Sequence, residues 1–171
     1  MEKQEQNSIC REIGARTGGD IYIGVVGPVR SGKSTFIKRF MEQLVLPAMS
    51  GSAAARERAR DELPQSAAGR TIMTTEPKFI PETAVPLQLE GGGACRVRLI
   101  DCVGYMVEGA MGHEEDAKPR MVKSPWFEQE VPFDLAAETG TRKVICEHST
   151  IGVVVTTDGS VSDIPRAVSL L

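Results

Sequence analysis

The chain has 171 residues, 41% of them hydrophobic and 25% charged, which is enough apolar material for one globular domain with a sizeable core. Its net charge of −3 and the lack of a broad basic stripe argue against a nucleic-acid partner. No apolar run reaches membrane-spanning length and no signal peptide is recognisable, so the expected compartment is the cytosol.

Residues 1–20 read as an N-terminal segment and 21–171 as a single, incomplete domain. The first element is the apolar run Ile21-Tyr-Ile-Gly-Val-Val26, which has the character of a buried strand. It leads into Gly27, Pro28, Val29, Arg30, Ser31, Gly32, Lys33 and Ser34, a match to GxxxxGK[ST], with Thr35 next in line. A triphosphate tail carries several negative charges, so the loop that holds it must turn backbone N–H groups inward, and glycine lets the main chain come that close. Lys33 is placed to reach the β- and γ-phosphates, and the Ser34 hydroxyl to reach Mg²⁺. The positive end of the following helix dipole faces the same anion. Phe36, Ile37, Phe40, Met41, Leu44 and Val45 recur at helical spacing, and Pro47 is expected to stop that helix.

A second helix is expected over Ala53–Leu63, where Arg56, Arg58 and Arg60 among Glu57, Asp61 and Glu62 read as a solvated face. Then comes Gly69-Arg-Thr-Ile-Met-Thr-Thr-Glu76, which sits where small P-loop GTPases keep a mobile, threonine-bearing loop that closes on Mg²⁺ and the γ-phosphate. Thr71, Thr74 and Thr75 are all candidates for that role, and threonines in this number also suit an edge strand. Val85, Leu87 and Leu89 alternate with polar residues, Gly91-Gly-Gly93 turns the chain, and Val97 and Leu99 alternate again. This predicts an antiparallel hairpin.

The hairpin ends in Asp101-Cys-Val-Gly104, a DxxG sequence at a strand tip. In P-loop enzymes such an Asp supports the Mg²⁺, and the glycine offers its N–H to the γ-phosphate. Asp101 is therefore the second metal-side candidate beside Ser34, and Gly104 a nucleotide contact. The next residue is Tyr105, where Ras-like enzymes commonly carry a water-orienting glutamine. Arg30 and Arg70 could add positive charge, although each also reads as a solvated side chain.

From Met106 to Pro132 the chain is polar and aperiodic, rich in Gly, Glu and Pro, and holds the single tryptophan, Trp126. A helix is expected from Phe133 to about His148, with Leu135, Ala136, Val144 and Ile145 available to pack. A last strand over Ile151–Thr156 would leave an open edge of Val and Thr, prone to pair with another chain. The cysteines, Cys10, Cys95, Cys102 and Cys146, form no CxxC pair and no zinc pattern with His113 and His148, and Cys102 reads as a small buried filler.

Strand, P-loop, helix, threonine loop, hairpin and DxxG follow the order of the translation-factor and Ras-like class of P-loop NTPases. The expected fold is an α/β three-layer sandwich with a mostly parallel sheet and one antiparallel hairpin strand, its C-terminal strands missing. No Asn-Lys-x-Asp base-recognition sequence occurs, so the residues themselves leave ATP and GTP open.

The strings TGGDIYIGVVG, SGKSTFIKRFME, DELPQSAAGRTIMTTEPKF, LIDCVGY and EHSTIGVVVTTDG, with the stretch around Pro119–Trp126, resemble the ATPase domain of the stage IV sporulation protein A family, from about Thr17 to Pro165. The resemblance implies a spore-coat morphogenetic ATPase that takes ATP and Mg²⁺, self-polymerises, and forms the basement layer of the coat. It implies a location in the mother-cell cytoplasm at the outer forespore membrane, reached through a small membrane-bound partner protein, and contacts with other coat proteins through regions beyond this chain. Carried over by position, the catalytic set is Lys33, Asp101, Thr74 and Thr75. After Ile164 the likeness is expected to fade, as in a fragment, a truncated product or a shifted reading frame. The alternative is a Ras-like GTPase-type switch that binds partners according to its nucleotide.

Overall fold

A computed structural model describes residues 17–64, 76–89, 93–107, 114–115 and 118–156. Four strands form the main sheet: β1 (Asp20–Val26), β2 (Lys78–Leu89), β3 (Gly93–Asp101) and β4 (Ile151–Val154), in the order β2-β3-β1-β4. β1 runs parallel to both its neighbours, with Val25 opposite Asp101 on one side and Val26 opposite Val154 on the other. β2 is antiparallel to β3. The expected mostly parallel sheet with one antiparallel hairpin strand is borne out.

The two faces of the sheet are covered by different helices, as alternation along the strands requires. Val25, Val97 and Leu99 pack with Ile37, Met41 and Val45 of the helix after the P-loop, while Val26, Ile100 and Cys102 pack with Val144 on the other side. Val25, Ile37, Met41, Leu99 and Ile100 are fully shut from solvent. Each such side chain contributes on the order of 1.5–3 kcal/mol relative to its exposed state.

Helix α1 (Lys33–Phe40) continues through a π-helical turn, Met41–Val45, into a short α segment, Leu46–Ala48. The winding ends at Ala48, one residue past Pro47, and Met49 is extended, in line with Pro47 as its stop. One expectation is corrected here. Leu44 does not join the core: it is 59% exposed while Val45 is 1% exposed. The wider π turn adds a residue per turn, which brings Val45 under Met41 and swings Leu44 outward.

Helix α2 (Ala53–Asp61) is capped by Ser52, whose hydroxyl accepts from the Ala55 N–H. Ala59 is its buried residue and Arg58 and Arg60 face solvent, as the solvated-face reading expects. The helix ends two residues before Leu63, yet Leu63 still packs in the core at 7% exposure. β2 begins at Lys78 rather than Val85, with a register shift between Ile80 and Val85. Pro81 falls within that shift, and Pro86 lies on the same outer strand; both are positions where a missing N–H is tolerated.

Within 106–132, the described residues include two short antiparallel ribbons, Glu114–Glu115 with Lys118–Pro119 and Met121–Val122 with Val131–Pro132. Helix α3 (Phe133–Lys143) follows and winds on as a π turn, Val144–His148. Its buried stripe is Phe133, Ala136, Ala137, Gly140, Thr141 and Val144, at spacings of three and four. Leu135, expected to pack, lies off that stripe and is 43% exposed. Trp126 ties the excursion to the end of α3: its ring centroid is 6.5 Å from that of His148, and Lys143 Nζ lies 5.2 Å from the ring centroid. β4 pairs on one side with β1, and among the described residues no strand covers its other edge.

Ile37→Ala is expected to lower unfolding free energy by about 2–5 kcal/mol. Leu44→Ala, on the same helix but outside the core, should change it by less than about 0.5 kcal/mol. Urea unfolding of the two variants checks this; similar losses would contradict the register assigned to the π turn.

Candidate functional site

The loop from Gly27 to Gly32 joins the end of β1 to the start of α1. Gly32 is the N-cap of α1 with φ of 91°, a left-handed backbone that a side chain would strain. The turn is closed by Ser31 N–H donating to Pro28 O (3.2 Å) and Phe36 N–H donating to Gly32 O (2.8 Å). No acidic residue occupies the first turn of α1, so the positive end of its dipole is left uncompensated toward the loop.

Lys33 is only 5% exposed. Its Nζ donates to Pro28 O at 2.6 Å and to Gly27 O at 3.2 Å, which holds the ammonium beneath the loop. Burial pushes its pKa below the ordinary lysine value, and the charge of Asp101 opposes that shift. Ser34, one residue on, donates its hydroxyl to Asp101 Oδ2 at 2.7 Å. The other carboxylate oxygen, Oδ1, is buried and has no partner. Burial pushes the Asp101 carboxyl up, against the pull of the Ser34 hydrogen bond and the charges of Lys33 and Lys78.

A hydroxyl and a carboxylate in contact, with a carboxylate oxygen left over, form a hard-oxygen donor set. Mg²⁺ suits such a set, being commonly bound through one or two carboxylates together with substrate phosphates. The residues present fit the ion. Among the described residues, no group of three or more His, Cys, Asp and Glu side chains offers an all-protein metal cage.

The DxxG turn closes over the same place. Gly104 has φ of 94°, and a Cβ there would collide with Gly27 O and with Lys33 Nζ. Tyr105 then joins the loop through its main chain: Val29 N–H donates to Tyr105 O (2.9 Å) and Tyr105 N–H to Gly27 O (3.3 Å). Its side chain is half-buried, and burial pushes the phenol up. Cys102 is 6% exposed, its thiol directed at Val25 O (3.3 Å) and its pKa raised by burial, as suits a buried filler.

The structure thus brings together Gly27, Pro28, Lys33, Ser34, Asp101 and Gly104. Ser31 and Val29 are buried in the loop, whereas Arg30 and Thr35 are exposed. Arg70, Thr71, Thr74 and Thr75 lie outside the described residues. Two features escaped sequence reasoning: the direct Ser34–Asp101 bond, and the backbone link from Tyr105 to the loop. Both depend on the parallel register of β1 and β3, which no local pattern encodes.

The profile of a family described as stage IV sporulation protein A, ATPase domain, matches residues 4–170. The stage IV sporulation protein A of Bacillus subtilis (strain 168) is 61% identical over 163 residues, covering 95% of this chain and 33% of that protein. The protein of that name from Bacillus anthracis is 60% identical over 162 residues, with 95% and 33% covered. That from Clostridioides difficile (strain 630) is 56% identical over 160 residues, with 94% and 32% covered. The chain spans about a third of the length of these curated relatives. No solved structure matches it. The family match bears out the likeness read from the sequence, although it runs on to residue 170 rather than fading after Ile164: the chain belongs to the stage IV sporulation protein A ATPase-domain family.

Proposed function

We propose that this domain binds ATP with Mg²⁺ in the cup formed by residues 27–34 and hydrolyses it, and that turnover drives self-assembly into the basement layer of the spore coat. The observation that carries the nucleotide reading is the convergence of Lys33, Ser34 and Asp101 at the strand ends, with a buried Asp101 oxygen left unpartnered. Backbone N–H groups of the loop would cradle the phosphates, and Lys33 would exchange its carbonyl partners for phosphate oxygens. Ser34 and Asp101 would hold Mg²⁺, which when bound neutralises charge on the β- and γ-oxygens. The Gly104 N–H is the donor offered to the γ-phosphate. Thr74 and Thr75 enter by the family likeness as the residues that sense that phosphate.

Tyr105 stands where a glutamine would orient the attacking water, so hydrolysis by an isolated copy should be slow and should gain from a neighbour's contribution on assembly. By the same family likeness, assembly takes place on the mother-cell side of the forespore membrane. A small membrane-bound protein would provide the attachment, and other coat proteins would join through regions outside this chain. Among the described residues no helix is long and apolar enough to cross a membrane.

The residue at Tyr105 also favours a second reading, a regulatory switch in which bound nucleotide sets partner affinity and turnover is incidental. Hydrolysis measured against concentration of the intact protein separates the two. Turnover that rises together with sedimentable polymer supports the ATPase scaffold; guanine-selective binding without assembly supports the switch.

Lys33→Ala should weaken nucleotide binding by about 100-fold, close to 2.8 kcal/mol, in a fluorescent-nucleotide titration. Asp101→Ala should keep metal-free nucleotide affinity within about tenfold while Mg²⁺-dependent turnover falls by about 100-fold or more. Equal loss of binding in both variants would refute the role given to Asp101. Gly104→Ala should abolish binding, because its methyl enters the space of Gly27 O and Lys33 Nζ. Gly152→Ala, with open space around the added Cβ, should bind like the parent.

A further inference from the structure

Tyr22 on β1 and Arg98 on β3 are cross-strand partners on the sheet face away from α1, where Tyr22 joins the Val26, Ile100 and Val144 cluster. Beyond the end of α3 this face opens into a cleft of about 550 Å³, lined by Tyr22, Phe79, Arg98, His148 and Thr150 among others. Its volume lies within the range of roughly 300–1,000 Å³ typical of small-ligand sites. It is separate from the phosphate cup. Tyr22 precedes Gly27 by five residues, about 16 Å of extended strand.

Arg98 is the unusual group here. Its guanidinium lies over the Phe79 ring at 4.0 Å from the centroid and 5.8 Å from that of Tyr22, and its Nε–H is shut from solvent without an acceptor. His148 closes the wall, edge-on to Phe79 with centroids 6.4 Å apart. The nearby carboxylates are engaged elsewhere. Glu147 takes Lys143 Nζ at 2.9 and 3.1 Å, and Asp20 accepts from Tyr22 Oη at 3.2 Å and pairs with Arg96. Among the described residues, no carboxylate pairs with Arg98.

Arginine stays ionised at any working pH, and a partly buried one is ordinarily paired. Stacking on an aromatic face fixes the plane of the fork while leaving its edge for a planar anion, and partial exclusion of water strengthens that attraction. One cation, with Glu147 close by, balances a single negative charge better than a dianion.

We propose that this cleft binds a carboxylate carried on a short apolar stem, with Arg98 as its ion-pair partner and the rings of Tyr22, Phe79 and His148 as the walls against the stem. An Asp or Glu side chain of a protein segment and a free small carboxylate share this chemistry.

The test is a titration of the intact, folded protein with butyrate, with the peptide acetyl-Phe-Glu-Leu-Ala-amide and with inorganic phosphate. Calorimetry is the readout, together with emission of Trp126, the one tryptophan of this chain, whose ring neighbours His148. Saturable binding of a carboxylate probe is expected, weakened at least about tenfold by Arg98→Met. That variant keeps a stem to lie on Phe79, and a thermal melt checks that it folds. Phe79→Leu, which removes the stacking partner, is the second variant and should also weaken binding. Lys33→Ala should leave it unchanged, so failure of the nucleotide reading and failure of this one are distinguishable. Binding of the peptide alone identifies a protein segment as the source; equal binding of butyrate identifies a free carboxylate. The proposal is overturned if the parent protein gives no saturable signal with either carboxylate at concentrations that would fill a site of about 1 mM Kd. Tighter binding of phosphate, or an unchanged affinity in Arg98→Met, would overturn it equally.

Discussion

The parallel pairing of β1 with β3 is the constraint from which the site follows. Parallel neighbours end at the same edge of a sheet, so the loop leaving β1 and the aspartate ending β3 must meet there. With Val25 opposite Asp101, Lys33 and Ser34 fall within reach of that carboxylate. Two opposite charges are then held in a place where burial disfavours each. They persist because each is supplied with partners: loop carbonyls for the ammonium, the Ser34 hydroxyl for the carboxylate, and the field of one for the other. A triphosphate and its cation would take over the same groups with little rearrangement of the main chain.

Much of this was legible in the sequence because it is local. A glycine-rich loop between an apolar strand and an amphipathic helix, and an aspartate at a strand tip, are patterns of adjacent residues governed by backbone geometry and charge. Leu44 and Leu135 were misread for the opposite reason. Both sit at plausible spacings in a string of apolar residues, and which of them faces the core depends on a π turn in one case and on the anchoring of Phe133 in the other. β2 was read short at its start because Pro81 interrupts the alternation, although an outer strand with a register shift tolerates it. The bond between Ser34 and Asp101 spans 67 positions in the sequence, and Arg98 acquires its ring neighbours from β1 and β2. Such juxtapositions belong to the register of the sheet and cannot be found by scanning along the chain.

The sheet therefore presents two chemically different regions along the same pair of strands. At the C-terminal ends of β1 and β3, main-chain donors and a lysine suit a highly charged phosphate chain. Three residues before those ends, on the α3 side, a single stacked arginine among aromatic rings suits a lone carboxylate. Tyr22 and Arg98 lie in the same strands that carry the P-loop and Asp101, separated from them by a fully buried layer that includes Val25 and Ile100. Close packing of that kind transmits small displacements rather than absorbing them.

The main-chain attachment of Tyr105 has a mechanical meaning. Because Gly27 and Val29 are both tethered to residue 105, the phosphate cup cannot change shape independently of the chain that leaves the DxxG turn. A displacement of Gly27 or Val29 is therefore shared with the main chain at residue 105.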